Sequence, residues 1–250
     1  MMSQRVLKHG WRLWNPKIIS KYSTWCPWKH IAHKNYSSDS VRYLSSVFSD
    51  ENVKSTIKRM SNVRPLRKMT KDAELTGAVL VPLCVVDGEP SVLYTLRSNH
   101  LALHRGEVSF PGGMSDPNDE DITHTALREM EEELGVNAAA VRVWGSLIPL
   151  PDKTLKRKVT PIVGFLGDIN IESLKPNANE VEQVFSLTLS HLCNPQNQRY
   201  TRFAPYGKRT KTYQMPVFLG GPIHRVWGLT SIITDQLLRA LLPDVYKSPK

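Results

Sequence analysis

The chain has 250 residues, 40% of them hydrophobic, and a formal net charge of +10. That length supports one good core and hardly two, and no apolar run approaches the ~18 residues that a membrane-spanning helix needs. Three scattered cysteines, Cys26, Cys84 and Cys193, lack the even count of a disulfide framework and the spacing of metal ligands, so free thiols in a reducing compartment are expected.

The positive charge is concentrated at the N-terminus. Residues 1–38 hold seven Lys or Arg and no acid, leaving 26 basic against 23 acidic residues in the remainder. With its excess removed, the body of the chain gives no reason to expect nucleic acid or a membrane as partner. Within the leader, Leu7, Trp11 and Trp14 share one helical face, while Arg5, Lys8 and Arg12 share the opposite one. An amphipathic, acid-free, Ser-containing start is the pattern of a mitochondrial presequence. Residues 1–44 are assigned to it, with a cut after Tyr36 as the shorter choice, and the expected destination is the mitochondrial matrix. The last residues, Lys247 to Lys250, are not a Ser-Lys-Leu peroxisomal address. The alternative for the leader is a basic tail with a nuclear or RNA-binding role.

Residues 45–72 read as a linker with a short helix over Asp50 to Met60 and a basic stretch over Val63 to Thr70. Residues 73–243 form the domain, and residues 244–250 a tail. Gly77 to Val86 is rich in Val and Leu and suits a central strand. Asp87 to Pro90 is a turn, and Ser91 to Arg97 returns as the hairpin partner. Further strands are expected over Val141 to Leu150, Thr160 to Leu166 and Val181 to Leu187. Thr230 to Leu242 carries helical spacing at Ile233, Leu237 and Leu241, closed by Pro243. Trp227 is assigned to packing rather than to stacking on substrate. The fold class is α+β, a mixed sheet between helices (an α/β/α sandwich).

The informative stretch runs from His104 to Leu134. Gly112 and Gly113 supply a turn in which backbone approaches a ligand with no Cβ in the way. A helix follows, with Asp119, Glu120 and Asp121 at its N-terminus and Gly135 as its stop. On its wheel, Ala126, Leu127, Met130 and Leu134 share the apolar arc of Ile122. Glu133 lies at the arc's edge, Glu129 and Glu132 come next, and Glu131 points to water. Glu129, Glu132 and Glu133 stand at i, i+3 and i+4, where like charges repel by roughly 0.2–0.5 kcal/mol per pair. Three hard oxygen donors kept together match Mg²⁺ or Mn²⁺. A solvated charged face is the plainer reading, and the glycines favour the metal site. Arg128 is expected to pair with Glu120 and tie loop to helix.

Gly113, Glu120 and then Arg128-Glu129-Met130-Glu131-Glu132-Glu133-Leu134-Gly135-Val136 resemble the Nudix box. That box marks enzymes that hydrolyse nucleoside diphosphates linked to another moiety. The first interval holds six residues rather than the usual five. Leu93 to Ser98, then Leu101, His104, Gly106, Val108 and Phe110 to Gly113, are similar to the segment marking the coenzyme A diphosphatase branch of that family. Asn177 to Phe185 and Val226 to Thr230 resemble the same branch. The likeness spans about residues 76–242.

The resemblance implies metal-dependent hydrolysis of the diphosphate of coenzyme A or an acyl-coenzyme A. The products would be adenosine 3′,5′-bisphosphate and (acyl-)4′-phosphopantetheine. Glu129, Glu132 and Glu133 are the metal and catalytic candidates. The proton acceptor is Glu129 in a second role or Glu180, with Glu182 as a weaker choice. Arg97, His104, Gly112 and Gly113 are the substrate-binding candidates, Arg97 and His104 ranking above Arg105. The loop Lys153 to Lys158 is a candidate for a 3′-phosphate or a solvated surface loop. The other functional readings are hydrolysis of ADP-ribose, NADH or an oxidised nucleotide, and a catalytically silent binding module.

Overall fold

The computed structural model describes residues 46–62, 75–101, 103–152, 157–203, 213–220 and 224–249. The expected leader, the basic stretch over Val63 to Thr70 and most of the Lys153 to Lys158 loop lie outside them.

Helix α1 (Asp50–Asn62) is followed by strand β1 (Leu75–Val86), β2 (Glu89–Arg97), β3 (Val108–Ser109) and β4 (Gly112–Met114). Then come helix α2 (Ile122–Leu134), strands β5 (Arg142–Ser146), β6 (Leu150–Pro151), β7 (Arg157–Asp168) and β8 (Val181–Thr188), and the short helix α3 (Leu189–Cys193). Strands β9 (Gln198–Phe203), β10 (Tyr213–Gly220) and β11 (His224–Val226) precede the final helix α4 (Gly228–Leu241).

The main sheet runs β3-β2-β1-β7-β5, with β4 on β1, β6 on β7 and β8 on β2. β1 and β7 are parallel and the other pairings are antiparallel, so the sheet is mixed, as expected. Burial on both faces explains why β1 reads as a continuous apolar run. Ala78, Leu80 and Cys84 face α2, packing with Ala126, Met130 and Leu134, while Val81 and Leu83 join Ile233, Leu237 and Leu241 of α4. The β1–β2 turn takes two residues, Asp87 (φ 51°) and Gly88 (φ 78°), which puts strand pairing back at Val86 and Glu89.

Three features depart from expectation. The strand read over Val141 to Leu150 is two strands, β5 and β6, separated around Pro149, which has no N–H for the ladder. The strands β9, β10 and β11 form a separate antiparallel sheet where no strands were expected. Trp227 is 42% exposed rather than packed away. The segments flanking the expected domain are docked on α4. Arg59 Nε of α1 donates to Ala240 O at 2.5 Å, and Tyr246 is buried with its hydroxyl donating to Asp235 at 2.7 Å. Cys84 and Cys193 are free and buried, and burial pushes each thiol up to about 12, so neither is a nucleophile at neutral pH. No helix among the described residues is long and apolar enough to cross a membrane.

Candidate active site

Helix α2 starts and stops where its chemistry requires. The Asp121 side chain accepts the His124 N–H at 2.7 Å, and Gly135, at φ 68°, donates its N–H to Glu131 O. Between these caps Thr125, Ala126, Met130 and Leu134 are buried against the sheet. That orientation sets the glutamates at different depths: the Glu133 side chain is 2% exposed, Glu129 15% and Glu132 57%. Glu131 faces water.

β4 brings the two glycines onto this helix. A Cβ on Gly112 would strike the carbonyl oxygen of Ala78 and the backbone of Val79; one on Gly113 would strike the Glu129 carboxylate. Glycine is therefore required by close approach at Gly112, where the obstacle is backbone, while at Gly113 its missing Cβ leaves the space that the Glu129 carboxylate occupies. The Gly112 N–H points at Glu133 Oε1 from 3.5 Å, and Arg97 Nη1 stands 4.0 Å from the same oxygen. Glu133 Oε2 and Arg97 Nε are both buried without any hydrogen-bond partner. A buried carboxylate served this poorly cannot easily stay ionised. Burial pushes Glu133 up to about 8; the Arg97 charge and the Gly112 N–H oppose that shift, while Glu129 and Glu180 add to it. Glu129 is also raised by burial, against the pull of Arg128.

Arg128 departs from its expected pairing. Its Nε and Nη2 bind Asp119 Oδ1 and Oδ2 at 2.9 and 3.1 Å, whereas Glu120 is exposed. Asp119 also accepts from Thr125 Oγ1 at 2.8 Å and from the Asp116 N–H at 2.8 Å. The Arg128 hydrogen bonds, then that of Asp116, hold Asp119 well below the usual carboxylate range. The physical reason is the long interval after Gly113: the extra residue moves the carboxylate that reaches Arg128 to the position before Glu120. Spacing carried that signal, since the interval is one residue longer than the pattern. The other arm of Arg128 meets Glu129 Oε1 at 3.0 Å and Glu132 Oε2 at 3.1 Å.

Across the cleft, the Glu180 carbonyl accepts the Ser98 N–H at 2.8 Å, which ties the turn before β8 to the end of β2. The Asn177 N–H donates to Glu133 O at 2.9 Å and binds that turn to α2 as well. Glu182 instead accepts from Asn99 Nδ2 at 2.6 Å, and His104 Nδ1 lies 2.9 Å from Glu107 Oε2 on an exposed loop. The structure thus gathers Arg97, Glu129, Glu133, Glu180, Gly112 and Gly113, and leaves Glu132 and His104 at the rim. Among the described residues, no three Asp, Glu, His or Cys side chains converge closely enough to hold a metal ion as they stand. Arg128 occupies an oxygen of Glu129 and both oxygens of Glu132. The hard oxygen donors and the orphaned, buried Glu133 Oε2 fit a divalent cation.

The chain is similar to several known proteins. The NUDIX domain family matches residues 74–206. Over 172 residues the chain is 51% identical to the mitochondrial coenzyme A diphosphatase NUDT8 of Mus musculus, an alignment covering 68% of this chain and 80% of the relative. The Homo sapiens protein of the same name is 51% identical over 173 residues, covering 69% of this chain and 72% of the relative. A solved C. elegans Ap4A hydrolase binary complex superposes with a TM-score of 0.38 at 20% identity, covering 46% of this chain and 80% of that one.

Proposed function

This chain belongs to the Nudix family and is a Nudix hydrolase, and on that premise we propose that it hydrolyses the diphosphate linkage of coenzyme A or its acyl thioesters. The products are adenosine 3′,5′-bisphosphate and (acyl-)4′-phosphopantetheine, and the working compartment is the mitochondrial matrix, reached through a presequence in residues 1–44. The names of the two relatives support the substrate and the compartment. The observation that carries the chemistry is the buried Glu133 carboxylate, whose Oε2 has no partner while its Oε1 has only the distant Arg97 guanidinium and the Gly112 N–H.

Glu129 and Glu133 would hold the divalent cation, with Glu132 as the third donor. Bound there, Mg²⁺ or Mn²⁺ supplies charge neutralisation at the diphosphate and a lower pKa for its water. Arg97 meets a diphosphate oxygen, and the side-chain-free backbone at Gly112 and Gly113 lets the phosphate approach. Glu180 accepts the proton as water attacks phosphorus and the bridging P–O bond breaks. His104 contacts substrate from the rim.

The test is hydrolysis of coenzyme A, 3′-dephospho-coenzyme A, ADP-ribose and NADH, each with Mg²⁺ and with Mn²⁺, followed by chromatography. Preference for coenzyme A, abolished by Glu133→Gln, is expected. Preference for ADP-ribose or NADH keeps the metal helix and overturns the substrate; silence on all four points to a binding module.

A further inference from the structure

A helix leaves the carbonyls of its last turn without partners of its own, and α2 is served there from outside. The Lys175 N–H donates to Leu134 O at 3.2 Å and the Asn177 N–H to Glu133 O at 2.9 Å. Donors two residues apart on successive carbonyls lay this segment along the end of the helix. Leu174 and Val181, on either side of Asn177, pack into the same apolar cluster as Met130 and Leu134 of α2.

Asn177 then closes the turn that carries Glu180. Its carbonyl accepts the Glu180 and Val181 N–H groups at 2.9 and 2.8 Å, and its side-chain Oδ1 accepts the Asn179 N–H at 3.1 Å. An asparagine that bonds backbone two residues on is a turn former. At the far end of the turn, Glu180 O takes the N–H of Ser98, the neighbour of Arg97, and Val181 pairs with Arg97 across β8 and β2. Asn177 thus has its N–H on Glu133 and three acceptor bonds holding the chain that delivers Glu180 to Arg97. The Glu180 charge is felt at both Glu129 and Glu133, raising each, so its carboxylate belongs to the same cleft. Of the bonds made by Asn177, the one through Oδ1 is what a side-chain substitution removes.

We propose that Asn177 is a positioning residue for the hydrolysis: by fastening one turn to the end of the metal helix and closing it through Oδ1, it sets where Glu180 stands relative to Glu133. This deepens the function proposed above and rests on Glu180 as the proton acceptor. A base must come within hydrogen-bond reach of the attacking water, and displacements of about 1 Å are costly. A carboxylate on a turn ahead of a strand has that freedom unless the turn is held. Because the tie runs to the main chain of Glu133, it leaves the Glu133 carboxylate free for a cation.

The experiment compares full-length wild type with Asn177→Ala, Asn177→Ser, Glu180→Gln and the double variant Asn177→Ala/Glu180→Gln. Alanine removes Oδ1 and keeps the backbone ties; serine returns a turn-forming oxygen without adding charge beside the glutamates. Asn177→Ala is expected to lower kcat roughly tenfold while KM and Mn²⁺ affinity hold, since a misplaced base acts on the chemical step alone. Asn177→Ser should recover part of that loss. In the Glu180→Gln background the alanine change should cost nothing further, because the two residues act as one unit. Amide exchange, read by NMR, should quicken at Asn179 and Glu180 in Asn177→Ala, whatever the substrate. Full activity in Asn177→Ala beside an impaired Glu180→Gln overturns the proposal alone. So does a loss that persists in the Glu180→Gln background, that serine does not relieve, or that metal affinity shares. Full activity in Glu180→Gln overturns the proton-acceptor assignment and the proposal with it. If wild type cleaves another diphosphate instead of coenzyme A, the substrate reading fails and the same comparison on that diphosphate decides the role of Asn177.

Discussion

Glu133 and Asp235 are both buried carboxylates, on helices packed against opposite faces of one sheet, and their surroundings differ in kind. Asp235 is fully served: Arg239 Nε donates to one oxygen at 2.8 Å, and the hydroxyls of Tyr246 and Ser248 donate to the other at 2.7 and 2.5 Å. Glu133 has one backbone N–H at 3.5 Å, an arginine at 4.0 Å, and an oxygen with nothing. A buried acid with three donors is structural, fastening the C-terminal segment to α4. A buried acid left short of donors costs stability unless something else arrives, which is what a metal-binding position requires.

Substituting each acid by its amide should break the comparison in opposite directions. Glu133→Gln is expected to lower turnover by about 10³-fold, the scale of removing a group that stabilises developing charge, while the metal-free protein melts no lower than wild type. Asp235→Asn should leave turnover nearly unchanged and destabilise the fold by about 2–4 kcal/mol, because Tyr246 and Ser248 lose their charged acceptor. Kinetics and thermal melts on the two variants check both halves. A Glu133→Gln protein that stays active would remove Glu133 from the metal site.

Gly113 offers the next largest effect. Its missing Cβ is the space in which the Glu129 carboxylate sits. Gly113→Ala must therefore push Glu129 aside, and roughly a 10²-fold loss of activity is expected from such a displacement. Calorimetry with Mn²⁺ should show weaker metal binding in the same variant. Unchanged metal affinity would place Glu129 outside the ligand set.

The raised pKa of Glu133 gives the comparison a pH axis. Its carboxyl is about 8 in the folded protein against an ordinary 4.5. For an acid raised by folding, the native state favours the protonated form. Its contribution to stability is therefore complete below 4.5 and falls away as pH climbs toward 8. Metal-free wild type should thus lose melting temperature over that window more steeply than Glu133→Gln, and saturating metal should flatten the difference. Because the ion must displace that proton, metal affinity should rise up to about tenfold per pH unit below 8 and then level off. Titrations in buffers of different ionisation enthalpy read the released proton directly.

The sequence made the first of these two acids readable and hid the second. The wheel of α2 set Glu133 at the edge of the apolar arc because a helix fixes its own side-chain directions, and β1 was readable because burial on both faces leaves an unbroken apolar run. Asp235 is not legible in the sequence, since its donors Tyr246 and Ser248 lie in the C-terminal segment, which carries no periodic pattern. The small sheet was missed because Gln198 to Phe203 alternates without a clear apolar face and Pro216 interrupts β10 as a pattern. Nor does i, i+4 spacing reveal that Arg128 reaches Glu129 and Glu132 at once. That contact depends on where Asp119 holds the guanidinium.

Asp119 supports the smallest of the expected effects and the most discriminating, since the family pattern points to its neighbour Glu120. Arg128 divides its donors between Asp119 on one side and the glutamates on the other. Asp119→Asn weakens the first set and leaves the cation to Glu129 and Glu132, where it competes with the metal. Metal affinity should drop roughly tenfold, as for other groups that orient ligands from behind, and a melt should show lower stability. Glu120→Gln touches no side-chain partner of Arg128 and should change neither. Metal titrations of the pair decide it: if Glu120→Gln is the damaging change, the register of the loop after Gly113 is one residue off and Arg128 is oriented by Glu120. If Asp119→Asn is, the lengthened loop has moved the supporting carboxylate while the metal helix kept its geometry.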